Sequence, residues 1–156
     1  MVDPAALYRP DMRFERSIEI DAAPEHVFAV YADVERWPEW APSVTSVQRL
    51  DAGPFRVGSR ARVRQPRLPV AVWEVTELAP DRWFTWVARG PGVRTVGTHS
   101  VVVADEGGRP VTATASLEQT GPLGWVIGML TRRLTDRYLD LEVKGLKARC
   151  EAPPRP

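Results

Sequence analysis

One histidine in this sequence stands where an imidazole could act on a bound molecule. Residues 93–103 alternate, with Gly97, His99 and Val101 on one face and Thr98 and Ser100 on the other. A neutral imidazole on the apolar face could orient a ligand oxygen, or act as an acid or base near pH 7. The alternative is an ordinary core histidine, bonded to a neighbouring backbone or hydroxyl group. His99 is therefore the candidate catalytic residue, with that alternative left open.

A second polar candidate is Gln65, which shares one face of the segment 59–65 with Ala61 and Val63. An amide both donates and accepts hydrogen bonds, which suits recognition of a carbonyl or hydroxyl group. A register shift of one residue would exchange the two faces and turn an arginine into the pocket cation. Without that shift, we expect solvent exposure for the three arginines opposite: Arg60, Arg62 and Arg64.

Tryptophan is the unusual feature of the composition, with six in the chain. Alternation puts Trp73 on the expected inner face of one strand, and Phe84 and Trp86 on that of the next. These rings could line a slot for a flat or steroid-sized ligand by stacking and area burial. They could equally be ordinary core. Trp37 and Trp40 flank a Trp-Pro-Glu-Trp turn and are expected to border the mouth of such a slot.

The sequence lacks the residue motifs of several other kinds of enzyme and binding site. The sequence contains no G-x-S-x-G, no Walker loop and no G-x-G-x-x-G after a strand. The histidines are His26, which we expect at the surface, and His99. The single cysteine, Cys150, excludes an internal disulfide and makes a Cys–His pair implausible. No spacing suggests a metal site, and we expect no cofactor.

Length and charge narrow the class of protein. A chain of 156 residues suggests one domain with a proper core. The 21 basic and 20 acidic residues argue against a nucleic-acid binder, which usually has a concentrated basic face. No apolar stretch reaches the roughly 18 residues of a membrane span. We therefore expect a cytoplasmic monomer or homodimer with no stable membrane insertion.

Hydrophobic periodicity predicts one strand, two short helices within 24–39, six further strands and one long helix. Short turns between successive strands favour an antiparallel meander. Residues 1–12 are interpreted as an arm, 13–150 as a single domain and 151–156 as a tail. The predicted strands cover residues 14–20, 44–50, 59–65, 70–78, 83–88, 93–103 and 111–119.

The long helix is predicted over residues 122–149, with Pro122 in its first turn. It would be roughly 40 Å long. It must cover one face of the sheet, since no other element could do so. Its apolar stripe is expected to consist of Leu123, Val126, Ile127, Leu130, Leu134, Tyr138, Leu141 and Gly145.

Four stretches carry a family likeness: residues 18–28 (IEIDAAPEHVF), 33–40 (DVERWPEW), 73–77 (WEVTE) and 97–99 (GTH). Together they resemble the START/SRPBCC superfamily, in its polyketide cyclase/dehydrase and lipid-transport branch. The resemblance implies an α+β helix-grip fold, in which a seven-stranded antiparallel sheet curves around the long C-terminal helix. It also implies an apolar cavity between the two. Small residues on the strands and the helix would leave volume for that cavity.

Three functions are compatible with this interpretation of the sequence. The first is binding of a small hydrophobic molecule (a lipid, steroid or polyketide-like aromatic), with Met129 adding apolar wall and the Gly90–Gly92 turn as entrance. The second is a polyketide cyclase or dehydratase that uses His99 as acid or base. Characterised aromatase/cyclases of the branch carry a tyrosine and an arginine near the places of Val44 and Ala79, which argues against cyclisation. The third is a protein-interaction module, for which the Trp37–Trp40 turn is the one candidate apolar patch.

Overall fold

The computed structural model describes residues 12–153. It contains seven strands, two α-helices and one short 3-10 helix. In chain order the elements are β1 (Met12–Ile20), α1 (Pro24–Ala32), the 3-10 helix (Val34–Glu39), β2 (Ser46–Arg49), β3 (Arg60–Arg64), β4 (Ala71–Ala79), β5 (Trp83–Gly90), β6 (Val93–Val103), β7 (Val111–Thr120) and α2 (Gly124–Glu151).

The strands form one antiparallel sheet in the order β1-β7-β6-β5-β4-β3-β2. From β2 to β7 each strand pairs with its neighbour in sequence, and β1 closes the order beside β7. Short turns leave successive strands no other partner, which is why the meander could be predicted. The α+β helix-grip class is confirmed, and the strand ends shift by only one or two residues from most of the predicted bounds.

The long helix is confirmed, but it starts at Gly124 rather than at Pro122. A Cβ atom at Gly124 would lie 3.0 Å from the carbonyl oxygen of Gln119, so a glycine lets the chain turn closely out of β7. The helix has 28 residues, so it is about 42 Å long. It runs on to Glu151, where residue 151 was expected to begin a tail.

The predicted apolar stripe of α2 is wrong in its N-terminal half. Leu130 is 82% exposed, and Leu123 and Val126 are also exposed. The helix is rotated so that another set of residues meets the sheet and α1. Its buried residues are Gly124, Gly128, Leu139, Glu142, Val143, Leu146 and Cys150.

The apolar core lies in two parts. The larger part joins α1, the 3-10 helix and the inner faces of all seven strands to Leu146 and Cys150 of α2. The smaller part joins Phe14 and Ala115 to Leu139 and Val143 of α2. The N-terminal half of α2 brings only glycines into the buried set, so it leaves space between itself and the sheet.

The Trp37–Trp40 turn is not an exposed patch. Trp37 and Trp40 are 3% and 8% exposed and belong to the larger core part. The indole N–H of Trp37 donates to the carbonyl oxygen of Tyr31 at 2.9 Å, which fixes the 3-10 helix against α1. This removes the feature on which the protein-interaction hypothesis depended.

The arm expected at residues 1–12 lies outside the described residues, except for Met12, which already belongs to β1. Within residues 12–153, neither helix is both long enough and apolar enough to cross a membrane.

Candidate functional site

A cavity of about 670 Å³ separates the middle of the sheet from α2. Inward side chains of β3–β7 line one side of it, and residues 127–142 of α2 line the other. Ala71, Ala88 and Gly97 stand at inward positions on three neighbouring strands, where larger side chains would fill the space. The volume falls within the roughly 300–1,000 Å³ of small-molecule pockets.

Three indoles form an aromatic wall of the cavity: Trp37, Trp73 and Trp86. The ring centroids of Trp73 and Trp86 are 5.4 Å apart, and those of Trp37 and Trp86 are 5.2 Å apart. A Cβ atom at Gly97 would lie 3.0 Å from Nε1 of Trp86, so the missing side chain lets these rings lie against β6. The wall offers large apolar area with limited side-chain freedom.

His99 lies on the cavity side of β6 and is 5% exposed. Its strand pairing places it opposite Phe84 on β5 and Ala115 on β7. The Phe84 ring stacks on the imidazole at 4.8 Å, and the rings of Tyr31 and Trp37 each approach it to 5.0 Å. The imidazole is therefore held in one orientation by aromatic rings on several sides.

Glu142 of α2 meets His99 across the cavity. His99 Nε2 and Glu142 Oε1 are 2.7 Å apart, and both side chains are nearly buried. The contact is close but lacks hydrogen-bond alignment, and neither Glu142 Oε1 nor His99 Nδ1 has a hydrogen-bond partner within residues 12–153. A carboxylate beside an imidazole can set its tautomer. The cavity thus has an imidazole and a carboxylate in contact at its wall.

Sequence reasoning missed Glu142, because a glutamate in an amphipathic helix is usually read as part of the solvated face. The signal that could have found it is its spacing. Glu142 stands three residues after Leu139 and four before Leu146, and both of these leucines are buried. A carboxylate on the buried side of a helix is costly unless it is paired or serves a function.

Two further ionisable groups are buried in the core: Tyr31, whose ring lies 5.0 Å from that of His99, and Cys150 of α2. Burial raises the pKa of the Tyr31 phenol well above its ordinary value, and the charges of Glu142 and Cys150 raise it further. Burial also raises the pKa of the Cys150 thiol to about 12. Both groups therefore stay protonated near neutral pH and carry no charge toward His99.

Gln65 follows the last residue of β3 and lines the cavity, as the strand alternation predicted. Its Nε2 donates to the carbonyl oxygen of Ser43 at 3.2 Å, so its side-chain oxygen is the part available for a ligand. The three arginines of β3 are exposed while Ala61 and Val63 are buried, so the predicted register is correct and no arginine of β3 faces the cavity.

The remaining predicted residues are placed elsewhere. Among the residues that the structure describes, Phe84, Trp40 and Met129 do not line the cavity. Phe84 is fully buried behind His99, and Trp40 packs on Tyr31 and Trp37. Met129 is 50% exposed, because the rotation of α2 turns it away from the sheet. The expectation that Met129 supplies apolar wall is therefore corrected.

The β5–β6 turn contributes Gly90 and Pro91 to the cavity lining, beside the first turn of α2. The backbone N–H of Leu123 donates to the carbonyl oxygen of Gly92 at 2.8 Å, which ties this turn to the start of the helix. His26 is exposed on α1, as expected.

Comparison with known proteins gives a consistent picture. The sequence pattern of the family described as polyketide cyclase / dehydrase and lipid transport matches residues 11–151. Uncharacterized proteins of Mycobacterium tuberculosis and Mycobacterium bovis are 28% identical to the chain over 112 residues, which is 70% of this chain and 67% of theirs.

Solved structures share the fold. A START superfamily protein from Mycobacterium smegmatis superposes with a TM-score of 0.71 at 16% identity, over 91% of this chain and 98% of that one. The Zhui aromatase/cyclase from Streptomyces sp. R1128 gives a TM-score of 0.73 at 14% identity, over 91% and 94%. The di-domain aromatase/cyclase StfQ of the steffimycin pathway gives 0.72 at 14% identity, over 90% of this chain and 51% of that one.

Proposed function

Because the chain belongs to the polyketide cyclase/dehydrase and lipid transport family, we propose that it binds a small hydrophobic ligand in the cavity between the sheet and α2. The ligand would be a lipid, a steroid or a polyketide-like aromatic. The observation that carries this proposal is the cavity of about 670 Å³ with its wall of three indoles.

The energetics favour such a ligand. Each 100 Å² of apolar ligand surface removed from water contributes about 2.5 kcal/mol before the costs of association. The wall offers stacking to a flat ring system. Gln65 and His99 would anchor polar atoms at two separate places, and the β5–β6 turn that ends in Gly92 would open as the entrance.

The test is to fill the cavity. Ala88 lines it from β5, so Ala88→Phe places a ring inside. The matched control is Val102→Phe, because Val102 is 58% exposed near the end of β6. We expect the fluorescence of N-phenyl-1-naphthylamine to rise on titration into wild-type protein and into the control. The affinity of Ala88→Phe for this probe should be at least tenfold lower than that of wild-type protein.

Equal affinity of the two variants would show that the probe binds elsewhere and would contradict the proposal. Circular dichroism melting of both variants separates loss of the cavity from loss of the fold. A co-purifying molecule, detected by native mass spectrometry of protein from its own host, would identify the ligand directly.

A second candidate function, a cyclase or dehydratase, is favoured by the contact between His99 and Glu142. In that reaction His99 would take a proton from the carbon between two ketone carbonyls of a polyketone. The resulting carbanion would attack a third carbonyl of the same molecule, and His99 would return the proton to the alkoxide that forms. His99 would then take the second proton from the same carbon and deliver it to the hydroxyl, which leaves as water while a carbon–carbon double bond forms. Glu142 would stabilise the imidazolium between these steps.

One experiment can distinguish the two candidate functions. An aryl 1,3,5,7-tetraketone, in which this attack closes a six-membered ring, is added to wild-type protein, His99→Ala and Glu142→Gln, and both its affinity and the absorbance of cyclised product are measured. Lost turnover with retained binding in the variants favours the enzyme. Binding without turnover above the background in any of the three proteins favours the binding function.

A further inference from the structure

The first two turns of α2 present large apolar side chains to solvent. Of the eleven exposed large hydrophobic residues within residues 12–153, five fall in the segment 123–130, and they are 38% to 82% exposed. We call these five residues the apolar cluster: Leu123, Trp125, Val126, Met129 and Leu130. A concentration of exposed apolar side chains in one place typically marks a surface that contacts another molecule.

The apolar cluster lies on the side of α2 that is turned away from the cavity. Thr131 lines the cavity, whereas Met129 and Leu130 just before it are exposed. Residues three and four positions apart share one face of a helix. From Leu130 the outer face continues at such steps to Arg133 and Arg137, which are both exposed. The outer side of α2 therefore changes from apolar to basic along its length.

The end of the sheet beside the apolar cluster is strongly basic. The β3–β4 turn, the β5–β6 turn and the end of β7 lie at this end, as the strand pairing requires. The segments that meet there, 64–73, 86–98 and 119–135, contain no aspartate or glutamate. They contain six arginines: Arg64, Arg67, Arg89, Arg94, Arg132 and Arg133. The whole chain has a net charge of only +1, so the balancing acidic residues lie elsewhere.

Two of these arginines lie directly opposite each other. Arg89 and Arg94 are paired across the β5–β6 hairpin, and both are exposed. Like charges at opposite positions of two strands repel each other. The apolar cluster adjoins this hairpin, because a Cβ atom at Gly92 would lie 2.7 Å from the side chain of Leu123. An anion at this place would therefore neutralise a repulsion that the fold contains.

The basic part of α2 also lacks an anionic partner. Arg132 and Arg133 are exposed, and neither forms an ion pair within residues 12–153. Asp136 is the first acidic residue of the helix, and it already pairs with Arg16 of β1 at 3.3 Å. The surface thus offers arginines and apolar side chains together.

Three kinds of partner could cover such a surface. A second copy in a symmetric dimer would place this basic surface against itself, which repulsion between like charges opposes. An acidic protein would pair with the arginines, but the apolar cluster projects from the outer side of a helix rather than lining a groove. A lipid bilayer accepts projecting apolar side chains among its acyl chains, tryptophan at its boundary and arginine at its phosphates. The observations favour the bilayer.

We propose that this surface docks the protein on an anionic lipid bilayer. The N-terminal half of α2 lies in the plane of the interface, with Met129 and Leu130 among the acyl chains and Arg132 and Arg133 at the phosphates. Docking is peripheral and reversible, and it needs no membrane-crossing segment. This inference goes beyond the proposed binding function and does not depend on which ligand the cavity holds. Docking would also turn the β5–β6 turn, the proposed entrance, toward the bilayer.

Co-sedimentation with sucrose-loaded vesicles measures docking of the full chain. Vesicles of phosphatidylcholine alone are compared with an equal mixture of phosphatidylcholine and phosphatidylglycerol. Wild-type protein should partition at least tenfold more strongly onto the anionic vesicles, because each arginine near such a surface strengthens binding about fivefold. Raising NaCl from about 50 mM to about 500 mM should weaken this binding, since salt screens exposed charges.

Two double variants test the two parts of the surface. Met129→Ser with Leu130→Ser removes apolar side chains, and Arg132→Gln with Arg133→Gln removes charge. Each should bind anionic vesicles at least tenfold more weakly than wild-type protein, because a buried methylene is worth about fourfold and an arginine about fivefold. Matched controls change exposed residues at the opposite end of the sheet and should bind as wild-type protein does: Val102→Ser with Val103→Ser, and Arg82→Gln with Arg109→Gln.

Melting temperatures without vesicles test whether protein covers the apolar cluster. Substitutions at exposed positions should leave the melting temperature within about 2 °C of the wild-type value. A fall of about 4 °C or more in Met129→Ser with Leu130→Ser would overturn the proposal, because another part of the chain or a second copy would then cover these side chains. A melting temperature that rises with protein concentration would identify the second copy.

The remaining results would also overturn the proposal. Wild-type protein that does not sediment with the anionic vesicles, or that sediments equally with both kinds, does not dock as proposed. Surface variants that bind as tightly as wild-type protein would place docking elsewhere. Binding of poly-L-glutamate that is tighter than binding of the anionic vesicles, and is unchanged in Met129→Ser with Leu130→Ser, would assign the surface to an acidic protein.

Docking and ligand binding are measured separately. Ala88→Phe fills the cavity but leaves the outer side of α2 intact, so it should sediment with anionic vesicles as wild-type protein does. Loss of docking in this variant, at an unchanged melting temperature, would contradict the assignment of docking to the outer side of α2.

Discussion

Replacing Tyr31 by phenylalanine should stabilise the protein, whereas the same change at Tyr138 should destabilise it. The Tyr31 side chain is fully buried, and its hydroxyl has no hydrogen-bond partner within residues 12–153. The Tyr138 hydroxyl is more accessible and donates to the carbonyl oxygen of Pro66. The two substitutions remove the same atom, in one case from a buried hydroxyl without a partner and in the other from a more accessible, hydrogen-bonded one.

The magnitudes follow from burial. A buried hydroxyl without a partner costs about 1–3 kcal/mol. In Tyr31→Phe the ring would keep its contacts with Trp40 and His99 and lose only one atom of packing, so we expect a net gain of about 1 kcal/mol. Tyr138→Phe gives up one hydrogen bond, which is worth about 0.5–1.5 kcal/mol. For a chain of this size, 1 kcal/mol changes the melting temperature by about 2–4 °C.

Urea denaturation followed by far-ultraviolet circular dichroism measures both changes in the free energy of unfolding, with thermal melting as a second readout. The midpoint for Tyr31→Phe should rise at an unchanged m value, and that for Tyr138→Phe should fall. A loss of about 1 kcal/mol or more in Tyr31→Phe would refute the reasoning. It would mean that the Tyr31 hydroxyl is hydrogen-bonded in the folded protein, with the neighbouring Glu142 carboxylate as the acceptor to test next.

Three further changes follow from the same contacts. The pKa of Cys150 is raised from 9.0 to about 12, so its thiolate fraction at pH 8 should be about 10³-fold lower in the folded than in the unfolded chain. The rate of labelling by iodoacetamide with and without urea measures this difference. Comparable labelling rates in the two conditions would contradict the prediction. Gly145→Ala should destabilise the protein by about 1–3 kcal/mol despite the better helix propensity of alanine, because the alanine Cβ would overlap the carbonyl oxygen of Trp40. A rise in the free energy of unfolding, measured by urea denaturation, would refute this prediction. The backbone N–H of Arg60 lowers the pKa of Asp51. The ionised Asp51 carboxylate therefore stabilises the folded protein above the ordinary pKa of 3.8, and this stabilisation is lost as pH falls through the lowered pKa. Asp51→Asn should lower the free energy of unfolding at pH 7 and reduce its loss on acidification, which urea denaturation at a series of pH values can test.

Much of the sheet could be predicted from the sequence, because alternation along a strand has a period of two, so that the apolar set of side chains identifies the inner one of two faces. The pattern at Ala61 and Val63 correctly predicted the inner side of β3, and the pattern around His99 correctly predicted a buried imidazole. Short turns then determined which strands pair. These features depend on near neighbours in the chain, so the sequence alone was sufficient for them.

The face of α2 could not be predicted in the same way. Its periodicity identified a helix, but residues such as Val126 and Leu130 suggested a buried stripe on the side that the structure exposes. The stripe rule assumes that the covered side of a helix meets a solid apolar core. Here the covered side meets a cavity, and part of it is polar.

The sequence by itself therefore determined the order of the elements, the inward strand positions and the presence of a long terminal helix. Only the tertiary structure decided how that helix is rotated, and with it that Glu142 contacts His99 at 2.7 Å while Met129 turns away from the sheet. The physical reason is that rotation depends on close backbone approaches, at Gly124 to Gln119 and at Gly145 to Trp40. Those approaches join residues far apart in the chain, and no local pattern of apolar residues encodes them.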